Sequence, residues 1–397
     1  MPKDSNPSRR DFMKIAGLGL GALAFQSRSR PTRSDPIDPS AVLPQFPTNT
    51  QLGRVAVYPL FNSTELKSEP NENAPTIRLA GQDETLLWER DVVGGNKQGR
   101  SNRRWAQVHT GDNVDGFIYA ADLQPVRFVP NTPLNATPAG KVGFWTEVTV
   151  PYVDLQLSGA PIGPGVKDLV QYNQPIRLYY GQIAWIDQVG SDSSGKILYR
   201  FNEAAQHGWG PGDLLYGDGA AFHVLTEADV APINPHVDPA TKKIVVDATP
   251  GRQTLSCLEG QSEVYFCRAS TGYSSSDPSF DFSTPTGAQD IFWKTFSIHM
   301  GASFKNSASG YDTMAVPWPM FFNGSAGAAI HGTFWHNDFG VQRSHGCVNV
   351  SPEDAKWMFR WSGPPLSLDQ SDLRLEYPNV GGSYSTPVTV NLTKVSG

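Results

Sequence analysis

Thirty-eight glycines and 32 prolines punctuate the 397 residues of this chain, and no other feature constrains its fold as strongly. Proline fixes φ and removes a backbone donor, glycine loosens the backbone, and neither sustains a long helix interior. With 18% charged and 11% aromatic residues, the chain is neither a coiled coil nor a solvated polar tail. Short strands joined by turns are expected, a mainly β protein of two or three domains. Such a length buries several cores without disulfide staples. The formal net charge of −6 leaves no basic footprint for nucleic acid. No apolar run reaches the roughly 18 residues of a membrane-spanning helix. Three cysteines are too few for a disulfide framework, and an odd number leaves at least one thiol unpaired.

The amino terminus reads as an address. Ser8-Arg9-Arg10-Asp11-Phe12-Met13-Lys14 precedes a glycine-diluted apolar stretch from Ile15 to Phe25, and Ala22-Leu23-Ala24 offers a small-x-small cleavage pattern. Residues 1–27 thereby resemble a twin-arginine export signal, either cleaved or kept as an anchor. The resemblance implies a protein working in the periplasm or outside the cell, associated with the wall, without a transmembrane helix in the mature chain. The Pro/Ser/Thr-rich stretch that follows reads as a linker over 28–50.

Residues 51–127 carry short β-type runs at Arg54–Tyr58, Thr85–Trp88, Trp105–Val108 and Gly116–Tyr119, separated by Gly/Asn/Asp/Pro turns. They suit a small barrel, and the ending from Trp105 to Val126 resembles bacterial SH3-like domains. A second unit of the same style spans 142–238. A short echo links the two: Ala121-Asp122-Leu123-Gln124-Pro125-Val126 recurs as Ala228-Asp229-Val230-Ala231-Pro232-Ile233. Residues 241–395 form a third, β-rich domain with strands at Lys243–Asp247 and Glu263–Arg268. Its one clear helix starts after Ser351, with Pro352 in the first helical position and Asp354 completing a Ser-x-x-acid box.

The chemistry concentrates in Ile330–Asn349. This segment holds His331-Gly332-Thr333, Trp335-His336, and Ser344-His345-Gly346-Cys347-Val348-Asn349. A thiol becomes a nucleophile when a neighbouring imidazole takes its proton, and histidine titrates in the right range. Glycine beside the thiol lets a carbonyl approach the backbone, where peptide N–H groups can stabilise an oxyanion. Nucleophile, base and oxyanion donors can thus come from one folded-back segment. A zinc reading uses His331, His336, His345 and Cys347, but two such spacings in one glycine-rich loop lack a typical structural pair. No metal and no cofactor are expected.

The pattern of His331-Gly332-Thr333 followed by Ser344-His345-Gly346-Cys347-Val348-Asn349 resembles the L,D-transpeptidase (YkuD) catalytic motif. Gln253-x-Leu255, Ser270-Thr271-Gly272 and Thr284-Pro285-Thr286-Gly287 support it, and the likeness covers about 241–390. It implies a cysteine acyltransferase acting on peptidoglycan stem peptides, forming 3→3 cross-links through a thioester with release of D-alanine. Carried over by position, Cys347 is the nucleophile and His331 the base, with the Gly332 carbonyl orienting the imidazole. Backbone N–H groups of His345, Gly346 and Cys347 would hold the oxyanion. Ser344, His345 and Asn349 would shape the loop, and Trp335, Asn349 and His336 would contact substrate. Carbapenem-type β-lactams would acylate the thiol.

Several alternatives remain open at this level. His336 is a second imidazole within the segment, so the base is His331 or His336. Water in place of an amine would make the enzyme an L,D-carboxypeptidase, and an inert thiol would leave a non-catalytic wall-binding protein. Cys257 and Cys267 are expected as half-buried strand thiols, with a disulfide between them as the alternative.

Overall fold

The computed structural model describes residue 43 and residues 46–57, 63–100, 102–110, 114–205, 207–208, 212–277, 281–301, 312–370, 372–374 and 385–391. The expected export signal at 1–27 and most of the linker at 28–50 lie outside the described residues. The protein is mainly β. Among the described residues only three α-helices occur, at Pro164–Gln171, Glu227–Val230 and Pro352–Trp361, and none is long and apolar enough to cross a membrane.

Two seven-stranded sheets precede the third unit. In hydrogen-bonded order the first runs Thr76–Gly81, Ser63–Lys67, Asp115–Tyr119, Arg104–His109, Thr85–Val93, Leu52–Val55 and Leu123–Val126. The second runs Ile176–Tyr179, Tyr152–Leu157, Leu214–Asp218, Ile197–Asn202, Ile183–Ser191, Phe144–Val148 and Phe222–Val224. Numbered along each unit, both orders read third, second, sixth, fifth, fourth, first, seventh; the two-residue strand His207–Gly208 pairs elsewhere, with Ser297–Gly301. The same topology is therefore used twice.

Two sequence expectations need correction here. Among the described residues neither sheet closes into a barrel. In the first sheet the edge strand Thr76–Gly81 leaves Leu79 exposed, and the opposite edge contains Pro125, which has no N–H with which to extend the ladder. The sequence echo is also out of step with the topology. The seventh strand follows a 3₁₀ turn in both units, Ala120–Asp122 and Gly219–Ala221. The counterpart of Leu123–Val126 is therefore Phe222–Val224, one element before Ala228–Ile233. In that later segment Asp229 completes a capping box with Thr226 at the start of a short helix, whereas Asp122 caps no helix and accepts from Thr64 and Lys97.

The third unit layers two five-stranded sheets. One orders Ser262–Arg268, Thr254–Glu259, Lys242–Asp247, Pro387–Asn391 and Gly287–Asp290; the other orders Val348–Val350, Ala328–Gly332, Met320–Asn323, Trp293–Thr295 and Asp372–Arg374. Ile244, Val246 and Leu255 from the first meet Met320, Ile330, Val348 and Val350 from the second in one core. The helix Pro352–Trp361 adds Ala355, Met358, Phe359 and Trp361 to it. Local chemistry explains both helix ends. Ser351 Oγ accepts from the Asp354 N–H (3.1 Å) at the start. Buried Lys294 donates to the carbonyls of Phe359, Ser362 and Pro364 (2.6, 2.9 and 2.8 Å) at the finish. Only Ser351 separates the helix from the strand Val348–Val350, so its packing fixes where that strand lies.

Cys257 and Cys267 are buried free thiols in this core. Cys257 faces Tyr265 and Cys267 faces Leu255 across the hairpin, so the two are diagonal neighbours and not cross-strand partners.

The anchor residue of this packing is Trp361, which is 1% exposed, stacks on Trp357 and donates from Nε1 to Glu259 (2.7 Å). Trp361→Ala is expected to destabilise the third unit by about 3–5 kcal/mol, read as a shift of its urea unfolding midpoint. Trp361→Phe, which keeps most of the volume, should cost less.

Candidate active site

The buried strand Ala328–Gly332 lies parallel to Val348–Val350, with Ile330 opposite Val348 and His331 opposite Asn349. Alternation sends Ile330 and Val348 into the core and turns His331 and Asn349 to the other face. Cys347 directly precedes Val348–Val350 and packs on the cluster that includes Ala329, two residues before His331 on the neighbouring strand. That cluster also holds Phe321, Ile298 and Val316, with the half-buried Phe292, Trp293, Met300 and Trp335 against it.

The turn entering the strand is tightly specified. Gly346 has φ +120°, a region that excludes most side chains. Ser344 Oγ accepts from the Gly346 N–H (3.2 Å) and donates to the Cys347 carbonyl (2.5 Å). Ser270–Gly272 runs alongside: the Ser270 and Asn349 backbones exchange hydrogen bonds of 2.8 Å, and the Ser344 N–H donates to the Thr271 carbonyl (3.2 Å). Gln253 clamps Thr271 at both its backbone N–H and its hydroxyl (2.8 and 2.7 Å), and Thr284 Oγ1 accepts from the Gly272 N–H (2.8 Å). A side chain at Gly272 would overlap the Phe282 carbonyl, its Cβ falling 1.8 Å away. The scattered Gln253, Ser270–Gly272 and Thr284 elements thus converge on one task, holding residues 344–349.

The two imidazoles differ in their surroundings. His331 is buried, and its Nδ1 lies 3.0 Å from the Gly332 carbonyl. That contact puts the proton on Nδ1 and leaves the Nε2 lone pair as acceptor. His336 is engaged at both nitrogens: Nδ1 accepts from the Asp338 backbone N–H (3.3 Å), and Nε2 lies 3.2 Å from the side-chain amide of Asn349. Asn349 is therefore held by His336. Trp335 lies beside His331, with ring centroids 5.8 Å apart, and joins the apolar group around Cys347. His345 points away from this pair toward Phe282, at 4.6 Å between rings.

Burial sets the protonation states. It pushes the Cys347 thiol up to about 11, against a weaker downward pull from the Ala329 backbone N–H. It also drives His331 down to about 4, with the Gly332 carbonyl opposing, and His336 down to about 3, aided by the Arg343 charge. At neutral pH the thiol and both imidazoles rest neutral. His345 is lowered by burial as well.

Some of the residues that shape the site carry no sequence signal. Arg343, which precedes the Ser-His-Gly-Cys element, pairs with Asp338 through Nε (3.1 Å) and Nη2. Burial would raise the Asp338 carboxyl, but Arg343 and Arg100 hold it below the usual carboxylate range. Arg100 belongs to the first unit, hundreds of residues away in sequence, and nothing local in its neighbourhood announces the contact. Among the described residues, no group of three or more His, Cys, Asp or Glu side chains is arranged to hold a metal ion.

Residues 241–390 match the L,D-transpeptidase catalytic domain family, YkuD. No curated protein matches the chain. Similar solved structures include an L,D-transpeptidase of Enterococcus faecium, 18% identical with TM-score 0.27, over 38% of this chain and 50% of that one. An L,D-transpeptidase of Mycobacterium smegmatis is 16% identical with TM-score 0.28, over 49% of this chain and 90% of that one. L,D-transpeptidase 3 of Mycobacterium tuberculosis, in complex with a faropenem-derived adduct, is 16% identical with TM-score 0.28, over 49% and 91%. The chain thus spans half the length of the Enterococcus structure.

Exposure separates the three thiols, since Cys347 is half-buried while Cys257 and Cys267 lie in the core with their ionisation pushed far up by burial. Iodoacetamide should therefore label native protein at Cys347 alone, as peptide mapping will show. Because the thiolate fraction below its pKa grows about tenfold per pH unit, labelling should keep accelerating from pH 8 to pH 10 without the plateau of an ordinary thiol.

Proposed function

We propose that this protein is an exported peptidoglycan L,D-transpeptidase that works through a thioester on Cys347. One observation supports the reading: the strand Ala328–Gly332, which holds His331, pairs in parallel with Val348–Val350, into which Cys347 leads, within the segment that matches the YkuD domain.

Cys347 Sγ attacks the carbonyl that joins the third stem residue to terminal D-alanine, and its proton passes to His331 Nε2. Because thiol and imidazole are both neutral at rest, this transfer accompanies the attack and does not precede it. Backbone N–H groups of the 345–347 turn receive the developing oxyanion. The Gly346 N–H also lies 3.2 Å from Ser344 Oγ. As the C–N bond breaks, the His331 imidazolium protonates the departing amine, D-alanine leaves, and the thioester remains. An amine of a neighbouring stem then attacks the thioester and gives its proton to His331, which passes it to the departing sulfur as the C–S bond breaks and the 3→3 cross-link forms.

The same geometry favours His331 as the base. His331 keeps Nε2 for proton transfer, while His336 spends both nitrogens on Asp338 and Asn349. Cys347→Ala should abolish turnover of a disaccharide-tetrapeptide and covalent labelling by imipenem, both read by mass spectrometry. His331→Ala should slow acylation about 10²–10⁴-fold with little change in substrate affinity, and His336→Ala much less. The base must be neutral to act, and His331 protonates only near pH 4, so acylation rates should stay level from pH 5 to pH 8. A larger loss in His336→Ala would move the base there, and full activity of Cys347→Ala would overturn the mechanism.

Export rests on the arginine pair. The guanidinium groups of Arg9 and Arg10 offer planar, multi-donor recognition that lysine lacks. Replacing both by lysine should leave the protein in the cytoplasm, as fractionation and immunoblotting will report; unchanged export would assign another route.

A further inference from the structure

We infer that the first unit is a working part of the active site: it holds the loop that carries Trp335 and His336, with Arg54 as the principal positioning residue. This inference deepens the proposed reaction and rests on that reading for its catalytic consequence. Residues 333–340 leave the strand Ala328–Gly332 with no ladder of their own before the chain returns at Ser344. A segment without ladder bonds takes its conformation from whatever it touches. Here the first unit touches it at three points.

Arg54, on the strand Leu52–Val55, is 1% exposed and donates from Nη2 to the Phe334 carbonyl at 2.5 Å. That carbonyl belongs to the residue immediately before Trp335. Asn337 Nδ2 donates to the Ala120 carbonyl at 3.1 Å. Arg100 pairs with Asp338, whose backbone N–H is the one that His336 Nδ1 accepts. Trp335 and His336 are thus bracketed by anchors at 334, 337 and 338. Trp335 abuts His331, and His336 holds Asn349.

The Arg54 contact is more than incidental packing between units, because its charge is buried and its orientation is over-determined. Nη1 donates to Asp83 (2.6 Å), and Nε and Nη2 donate to Gln124 Oε1 (3.0 and 2.7 Å). Asp83 is shared with Arg177 of the second unit (2.9 Å) and accepts from the Tyr179 hydroxyl (3.2 Å). The Tyr179 ring stands 4.1 Å from the Arg54 guanidinium and stacks on Phe334 at 5.4 Å and 21°. A guanidinium can satisfy Asp83, Gln124 and Phe334 at once because its donors fan out in one plane; lysine cannot. All three units therefore meet at Phe334, and the meeting point adjoins the imidazole side of the site.

The test compares full-length wild type with Arg54→Met, Arg54→Lys and Arg100→Met. Since Arg54→Met leaves Asp83 with one guanidinium fewer, the pair Arg54→Met/Asp83→Asn is included to remove that charge as well, and Arg100, partly exposed, can be replaced without burying a bare carboxylate. Imipenem adduct formation at Cys347 is followed by mass spectrometry, and iodoacetamide alkylation is followed as a function of pH. In folded variants, judged by circular dichroism and melting, Arg54→Met and the pair should lower the limiting acylation rate at saturating imipenem tenfold or more while changing half-saturation little. Their alkylation profiles should shift relative to wild type, Arg54→Lys should recover only part of the rate, and Arg100→Met should lose less. Folded variants with wild-type rates and an unshifted alkylation profile would overturn the inference. A wild-type protein that imipenem never acylates would instead count against the proposed function, and the alkylation profiles would then decide the positioning claim by themselves.

Discussion

Two parallel strands, Ala328–Gly332 and Val348–Val350, set every other feature of the site. Their register pairs Ile330 with Val348 inward and His331 with Asn349 outward, and Cys347 leads into the second strand. A slip of one residue would turn the imidazole into the aliphatic core and put Ile330 on the face that carries the site. The surroundings work against such a slip. Ile330, Val348 and Val350 are locked in the core by the helix Pro352–Trp361, and Asn349 is bonded by Ser270 along its backbone and approached by His336 at its side chain. The pairing needs the core, and the core needs the helix, whose two ends are closed by Ser351 and Lys294.

The same burial that fixes the register dictates the chemistry. A thiol and an imidazole in water titrate close enough together for an ion pair to be accessible. Enclosed by Ala329, Phe321, Trp335 and their neighbours, both charged forms are disfavoured, and the pair rests neutral. In the reaction proposed above, such a neutral thiol loses its proton only as it attacks a carbonyl. The charged groups stay one layer out: Asp338 with Arg343 and Arg100, and Asp83 with Arg54 and Arg177. They act on the loop's position and not on the thiol directly.

The legible part of this molecule was the part encoded locally. Glycine and proline content indicates short strands, the Ser-Pro-x-Asp start indicates the helix Pro352–Trp361 of the third unit, and the motif residues indicate the YkuD domain over 241–390. Barrel closure was not legible, because it depends on whether edge strands such as Thr76–Gly81 find a partner, and strand-like periodicity is the same either way. The repeated topology left only a misleading trace: turn residues recur for local reasons, so the echo matched a capping box to a strand, whereas the shared strand order lies in pairings between distant residues. The acid–base setting has no local signature either, since an isolated histidine titrates near neutrality and burial on the packed strand drives His331 down to about 4. The contact of Arg54 with Phe334, 280 positions apart, has no sequence signature at all.

The central claim is that Cys347 becomes acylated by a stem peptide with loss of D-alanine. Intact-protein mass spectrometry of the purified enzyme with a disaccharide-tetrapeptide, quenched in acid before an acceptor can resolve the adduct, addresses it directly. The account predicts a mass increase equal to the substrate less D-alanine, mapped to Cys347 and removed by hydroxylamine as a thioester should be. Free D-alanine appearing without any adduct on Cys347, or an adduct mapped to another residue, would contradict it.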